Sequence, residues 1–165
     1  MSITKLNNLS ISAVTALPSG VGGKVLQVVT ATDSTHRNTT SISFVTASNT
    51  LSVSITPSSA SNKIFITANS TIVNTSGNGL VFATIFRNST NIGDANNGMA
   101  VGNSVPEITH IDHPMCMTIL DSPSTTSAIT YQVYIRSDDI GTSAQINGRS
   151  AKPCKGTITA FEIKG

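Results

Sequence analysis

Residues 115–137 read MCMTILDSPSTTSAITYQVYIRS and carry the pattern that decides the fold. From Ile129 onward the residues alternate: Ile129, Tyr131, Val133 and Ile135 fall on one side of an extended chain, and Thr130, Gln132, Tyr134 and Arg136 fall on the other. The same alternation comes before, with Met115, Met117 and Ile119 set against Cys116, Thr118 and Leu120. Asp121-Ser122-Pro123-Ser124 parts the two runs. Proline has no N–H for a sheet ladder, and Asp and Ser bond their own backbone, so this tetrapeptide turns the chain. The stretch therefore predicts two strands, each with one face in a core, joined as a hairpin or as a corner between sheets.

Upstream, residues 63–73 form the longest clean alternation, with Ile64, Ile66, Ala68 and Ile72 opposite Phe65, Thr67, Asn69 and Thr71, and predict a central strand. Residues 74–79, NTSGNG, tolerate positive φ and predict a hairpin turn into a strand over 80–87 that carries Leu80, Phe82 and Phe86 on one face. Shorter strands are predicted over 24–30, 42–45 and 51–56, with a polar loop at 33–40. Residues 88–107 carry too many turn signals for a long strand and read as mostly loop. Downstream come a strand over 144–146, a loop bearing Arg149 and Pro153, and a last strand over 157–163. Short strands at near-regular spacing without an amphipathic helix predict an all-β, antiparallel two-sheet sandwich such as a jelly roll. Its core includes Ile64, Ile66, Val133, Ile135 and Phe161.

Composition supports this class. Ser, Thr and Asn supply about 60 of the 165 residues, whereas charged residues are 11% and aromatic residues 4%. Such a chain has a hydroxyl-rich surface and a β-branched core. Ten basic and eight acidic residues are spread without runs, so no footprint for nucleic acid is present. No apolar stretch reaches the roughly 20 residues of a membrane span, and the first residues lack a signal peptide's apolar core. The chain is accordingly expected to be made in the cytosol, with no insertion into a membrane.

At 1–21 the apolar residues Ile3, Leu6, Leu9, Ile11, Val14 and Leu17 recur at intervals that fit neither strand nor helix, and a proline- and glycine-rich break follows. We expect an N-terminal arm that buries these residues against other chains, followed by the sandwich domain at 22–165. Cys116 and Cys154 read as buried free thiols, a disulfide between two strands being the other reading. His110, Asp112 and His113 are the one potential metal-ligand cluster. In an extended chain His113 faces away from the other two, so a solvated loop is the simpler reading. Neither a catalytic residue nor a cofactor is expected: Asp138 and Asp139 are adjacent rather than spaced, and no nucleophile is oriented. Tyr134, on the solvent face of its strand, suits a subunit interface or a sugar ring, and we place it at an interface because aromatics are scarce here.

Three segments together, 23–29 (GKVLQVV), 51–59 (LSVSITPSS) and 62–64 (NKI), resemble a domain of tail-fibre and other appendage proteins of bacteriophages, including phages of cyanobacteria and marine bacteria. The likeness continues through 120–123 (LDSP), 126–131, 146–150 (INGRS) and 157–163 (TITAFEI). It implies a jelly roll like that of complement globular heads and tumour-necrosis-factor ligands, assembled as a homotrimer. It further implies a non-enzymatic virion protein, assembled in the host cytoplasm. That protein is a fibre tip or knob attached to other virion proteins through the arm, binding a host-surface glycan or protein through loops at one end of the sandwich. The alternative it leaves is a structural capsid-decorating or head-fibre trimer.

Overall fold

The computed structural model describes residues 25–165 except Ser76, Glu107 and Thr109, and every regular element in them is a strand. In chain order these are β1 (Val25–Asp33), β2 (Arg37–Thr39), β3 (Ser52–Ile55), β4 (Lys63–Asn74), β5 (Leu80–Arg87), β6 (Thr90–Asn91) and β7 (Ala100–Asn103). There follow β8 (His113–Asp121), β9 (Ile129–Ser137), β10 (Ala144–Ile146), β11 (Gly148–Arg149), β12 (Lys152–Pro153) and β13 (Gly156–Ile163). The principal sheet runs β1-β13-β4-β8 and the second β3-β9-β5-β7, all antiparallel. Among these eight strands the chain changes sheet at every connection except β5 to β7. That interleaving is the jelly roll.

Alternation drives this arrangement. Ile64, Ile66 and Ala68 of β4, Ile158 and Ala160 of β13, and Met115 and Met117 of β8 meet Val53, Ile55, Val81, Ala83, Ile85, Ile129, Tyr131, Val133 and Ile135 of the second sheet. At one end the Tyr131 hydroxyl donates to Asp121 Oδ2 at 2.7 Å, and Arg87 reaches both oxygens of that carboxylate at 2.9 and 3.0 Å, tying the sheets together. Burial and the hydrogen bond to Asp121 push the Tyr131 phenol well above its ordinary pKa.

The central position expected for 63–73 is found, since β4 is paired on both sides. Several expectations are corrected. The turn at 74–79 joins no hairpin, because β4 and β5 lie in different sheets; at 121–124, where a hairpin or a corner is expected, the corner is found, since β8 and β9 also lie in different sheets. Residues 42–45 form no strand, although Val45 bridges Ile135. The Ser41 hydroxyl donates to Ser43 O at 2.8 Å and accepts from Ser43 N at 3.1 Å, and this local exchange breaks the ladder. The loop expected at 33–40 includes the short strand β2, while 88–107 is mostly loop as expected, interrupted by β6 and β7. Phe161 points outward, because β13 turns Ile158, Ala160 and Glu162 into the sandwich. Cys116 and Cys154 are free, as the first reading has it, but exposed rather than buried.

β10 continues the line of β13 along β4, and β2 continues that of β1. Between β10 and β13 the chain leaves the sheet as the small β11–β12 hairpin. Asn147, fully buried at φ 62°, pins its neck: its Oδ1 accepts from Ser70 Oγ at 2.7 Å and its Nδ2 donates to Thr35 O at 3.0 Å.

Candidate functional site

The two outer faces of the sandwich differ in kind. On the principal sheet, register places Val28, Phe161, Phe65 and Leu120 side by side across β1, β13, β4 and β8. The Phe65 and Phe161 rings lie 6.0 Å apart, and Val28 and Leu120 are about half exposed, at 54% and 51%. The next row is Thr30, Thr159, Thr67 and Thr118, and the one beyond it is Thr32, Thr157, Asn69 and Cys116. No charge interrupts these rows. Such a face combines rows of short hydroxyl and amide side chains with an apolar end that is weakly hydrated.

The second sheet carries a cleft on its outer side. The outward residues of β5 and β9 include Phe82, Thr84, Phe86, Tyr134 and Arg136, because Ala83, Ile85, Val133 and Ile135 turn inward. Phe86 stacks on Tyr134 with ring centroids 3.9 Å apart and planes 20° apart. Phe44, from the segment beside β9, meets Phe86 edge-on at 6.4 Å and 61°. The Arg136 guanidinium lies 4.1 Å from the centre of the Phe82 ring and 5.4 Å from that of Phe44. A cation over a ring face is attracted by the ring's electron density. Of five Phe and two Tyr in the chain, four of the seven therefore gather here.

A loop builds the opposite wall. Asp94 Oδ1 accepts the N–H groups of Asn96 and Asn97 at 2.9 and 2.7 Å, which hold its carboxyl below the usual carboxylate pKa, Asn97 contributing most. Asn91 Oδ1 accepts from Thr84 Oγ1 at 2.7 Å, covering Thr84 although it points out of the sheet. Met99 N donates to Ala83 O at 2.8 Å. At Gly98, φ is +66°, and a Cβ would lie 2.4 Å from the Ala83 carbonyl oxygen, so only glycine fits. Arg136 clamps the loop: its Nε donates to Asn96 O at 3.0 Å, a second guanidinium nitrogen donates to the same oxygen, and the third donates to Ser137 O at 2.8 Å. The result is an open cleft of about 590 Å³, lined on one side by Ile42, Ser43 and Phe44 and on the other by Ala95 and Asn96, over Phe86 and Arg136 with Asp138 at the rim. It holds one guanidinium and one carboxylate. Its chemistry is that of binding, with an apolar shelf beside hydrogen-bonding groups.

The residues singled out from sequence do not converge. Asp112 pairs with Arg149 Nη2 at 2.7 Å, and His113 Nε2 lies 2.6 Å from Asn103 O. Among the described residues no three His, Cys, Asp or Glu side chains are grouped to hold a metal. Asp138 lies at the rim of the cleft and Asp139 is exposed. Ile3, Leu6, Leu9, Ile11, Val14 and Leu17, with the boundary at 21–22, lie outside the described residues. Tyr134 is half-buried on the outer face, as its alternation predicts, against Phe86. Sequence reading missed Phe44, Phe86 and Arg136 as one group. The available signal was that Tyr134 and Arg136 share the face of β9 away from the core, in a chain poor in aromatics.

No family model matches the chain, and no curated protein matches it. Among solved structures it is similar to the crystal structure of the infectious bursal disease virus VP2 subviral particle, with 14% identity, a TM-score of 0.42, and coverage of 84% of this chain and 37% of that one. It is also similar to the structure of infectious bursal disease virus Gt strain, with 14% identity, a TM-score of 0.43, and coverage of 84% and 38%. The chain thus spans well under half the length of either protein. Its fold assignment rests on strand order and not on this likeness.

Proposed function

We propose that the chain is a non-enzymatic virion protein, a tail-fibre tip or knob that attaches a phage to its host surface and works as a homotrimer. The observation that carries this reading is the contrast between the two outer faces. One is uncharged through three rows and apolar at one end, which suits packing against copies of itself. The other carries an aromatic cleft, which suits a ligand. The resemblance of the sequence to phage appendage domains supplies the biological setting, and the arm at 1–21 joins the knob to other virion proteins.

Three of the eight acidic side chains are committed to structure, Asp121 to Arg87 and Tyr131, Asp112 to Arg149 and Glu162 to Ser58 and Asn62, and the cleft is lined by a single carboxylate, Asp138, where sugar cleavage uses a spaced pair. Purified protein should release no reducing ends from host polysaccharide. The direct test is adsorption of labelled full-length protein to intact host cells, together with its ability to block infection. A protein that neither adsorbs nor blocks loses the attachment role, and imaging that places it on the capsid shell assigns it to decoration instead.

A further inference from the structure

We propose that the cleft between Phe44, Phe86 and the 91–98 loop is a binding site for a neutral sugar ring, a proposal that rests on the attachment reading above and names its ligand. The shape fits first. A volume of about 590 Å³ falls within the range of small-molecule sites, about 300–1,000 Å³. The Phe86 ring, backed by Tyr134 at 3.9 Å, cannot tilt away, and Phe44 stands edge-on beside it. This makes a floor and a wall of aromatic carbon. A pyranose presents an apolar face of C–H bonds that lies flat on such a ring, and its hydroxyls project around the edge as both donors and acceptors.

The polar groups answer those hydroxyls. The Asp138 carboxylate accepts, and the Ser43 hydroxyl and Asn96 amide both donate and accept, all three lining the same cleft. The charge balance argues against an anion. Arg136 is the one cation lining the cleft, Asp138 offsets it, and all three of its nitrogens already donate to the Asn96 and Ser137 carbonyls. Arg136 is thus a positioning residue. Resting on the Phe82 ring and holding the Asn96 carbonyl, it fixes the loop wall before any ligand arrives, which lowers the ordering cost of binding. A purely apolar ligand, in turn, would leave Asp138, Ser43 and Asn96 stripped of water and unpaired.

The test uses the full chain, isotopically labelled, titrated by NMR with the methyl glycosides of glucose, galactose, mannose and N-acetylglucosamine, with a methyl sialoside and inorganic phosphate as anionic probes. At least one neutral glycoside should shift the Phe44, Phe86 and Tyr134 ring signals and the amides of 91–98. Phe86→Ala should weaken that binding about tenfold or more, the loss carried by one ring stack. Asp138→Asn and Ser43→Ala, which spare the aromatic packing, should weaken it measurably even if Phe86→Ala fails to fold, and Phe65→Ala on the other sheet should not. No shift with any neutral glycoside, preference for an anionic probe, or binding indifferent to all three cleft variants overturns the proposal. Cell adsorption separates this from the parent reading. Wild-type adsorption that persists undiminished in the cleft variants leaves attachment standing and removes the sugar site, whereas glycoside binding without adsorption does the reverse.

Discussion

Glu162 is 2% exposed, yet its Oε1 alone accepts the Ser58 N–H and the Asn62 amide, each at 2.6 Å, and the Ser58 hydroxyl at 2.7 Å. Burial raises its pKa, but these donors more than offset that, leaving it below the ordinary 4.5. Asp33, 5% exposed, behaves alike: burial pushes it up from 3.8, and the N–H groups of Thr50 and Thr35 bring it lower still. Carboxyls whose folded pKa lies below the unfolded one favour the folded state fully above the unfolded value, and lose that contribution as pH falls through the folded one. The melting temperature should therefore hold steady from neutral pH down to about 5 and drop below about 4. Glu162→Gln should flatten part of that acid limb in a pH series of thermal melts. Val133, with no exposure at all, offers no such partners. Val133→Asp buries a lone carboxylate at a cost of several kcal/mol, comparable to the whole stability of a domain at about 5–15 kcal/mol, and should yield no soluble folded protein on expression.

Elements were legible where alternation was strict and illegible where identical chemistry serves two geometries. The periods of 63–73 and 129–135 could belong only to strands with one buried face, and they became β4 and β9. Turn residues such as 74–79 and 121–124 tell that the chain reverses, not whether it returns to the same sheet, so 121–124 reads equally as hairpin or corner, and 74–79 reads as a hairpin where the chain crosses over. β13 reads with Phe161 inside because a phenylalanine looks more apolar than the adjacent glutamate, and only the distant Ser58 and Asn62 make burial of Glu162 tolerable. The cleft was hidden for a related reason: it draws on residues 42–44, 86, 91–96 and 136–138, which no local pattern links. Its loop wall gives an element-scale prediction. Gly98→Ala forces a side chain into positive φ and against the Ala83 carbonyl, a strain of about 1–3 kcal/mol. In a chain of this size the melting temperature should fall by about 2–4 °C for each kcal/mol, read by calorimetry, with the Phe86 ring signals broadened.

For the whole molecule, the trimer proposed above would cover the uncharged rows of the principal sheet and the apolar residues of the expected arm at 1–21 with copies of the chain. Light scattering on the full-length protein should report a trimer. A monomer rejects that assembly, while a trimer that survives truncation to Gly22 assigns it to the sheet face and leaves the arm to join other virion proteins. Replacing Phe65 and Leu120 together by Lys, on the exposed row, should lower the measured mass without changing the circular-dichroism spectrum.

Strand order also sets a schedule. β13 lies between β1 and β4, so the middle of the principal sheet is supplied by residues 156–163, after the other described strands have been synthesised. A ribosome releases residues in sequence at about 5–20 per second, and until those eight emerge the facing edges of β1 and β4 wait unpaired, open to strands of neighbouring nascent chains. Chains stalled before residue 156 should be cut readily by protease, and those carried past residue 163 and clear of the exit tunnel should resist. On polysomes crowded with identical chains, the interval before β13 emerges is then the one in which strands of neighbouring chains can take its place between β1 and β4.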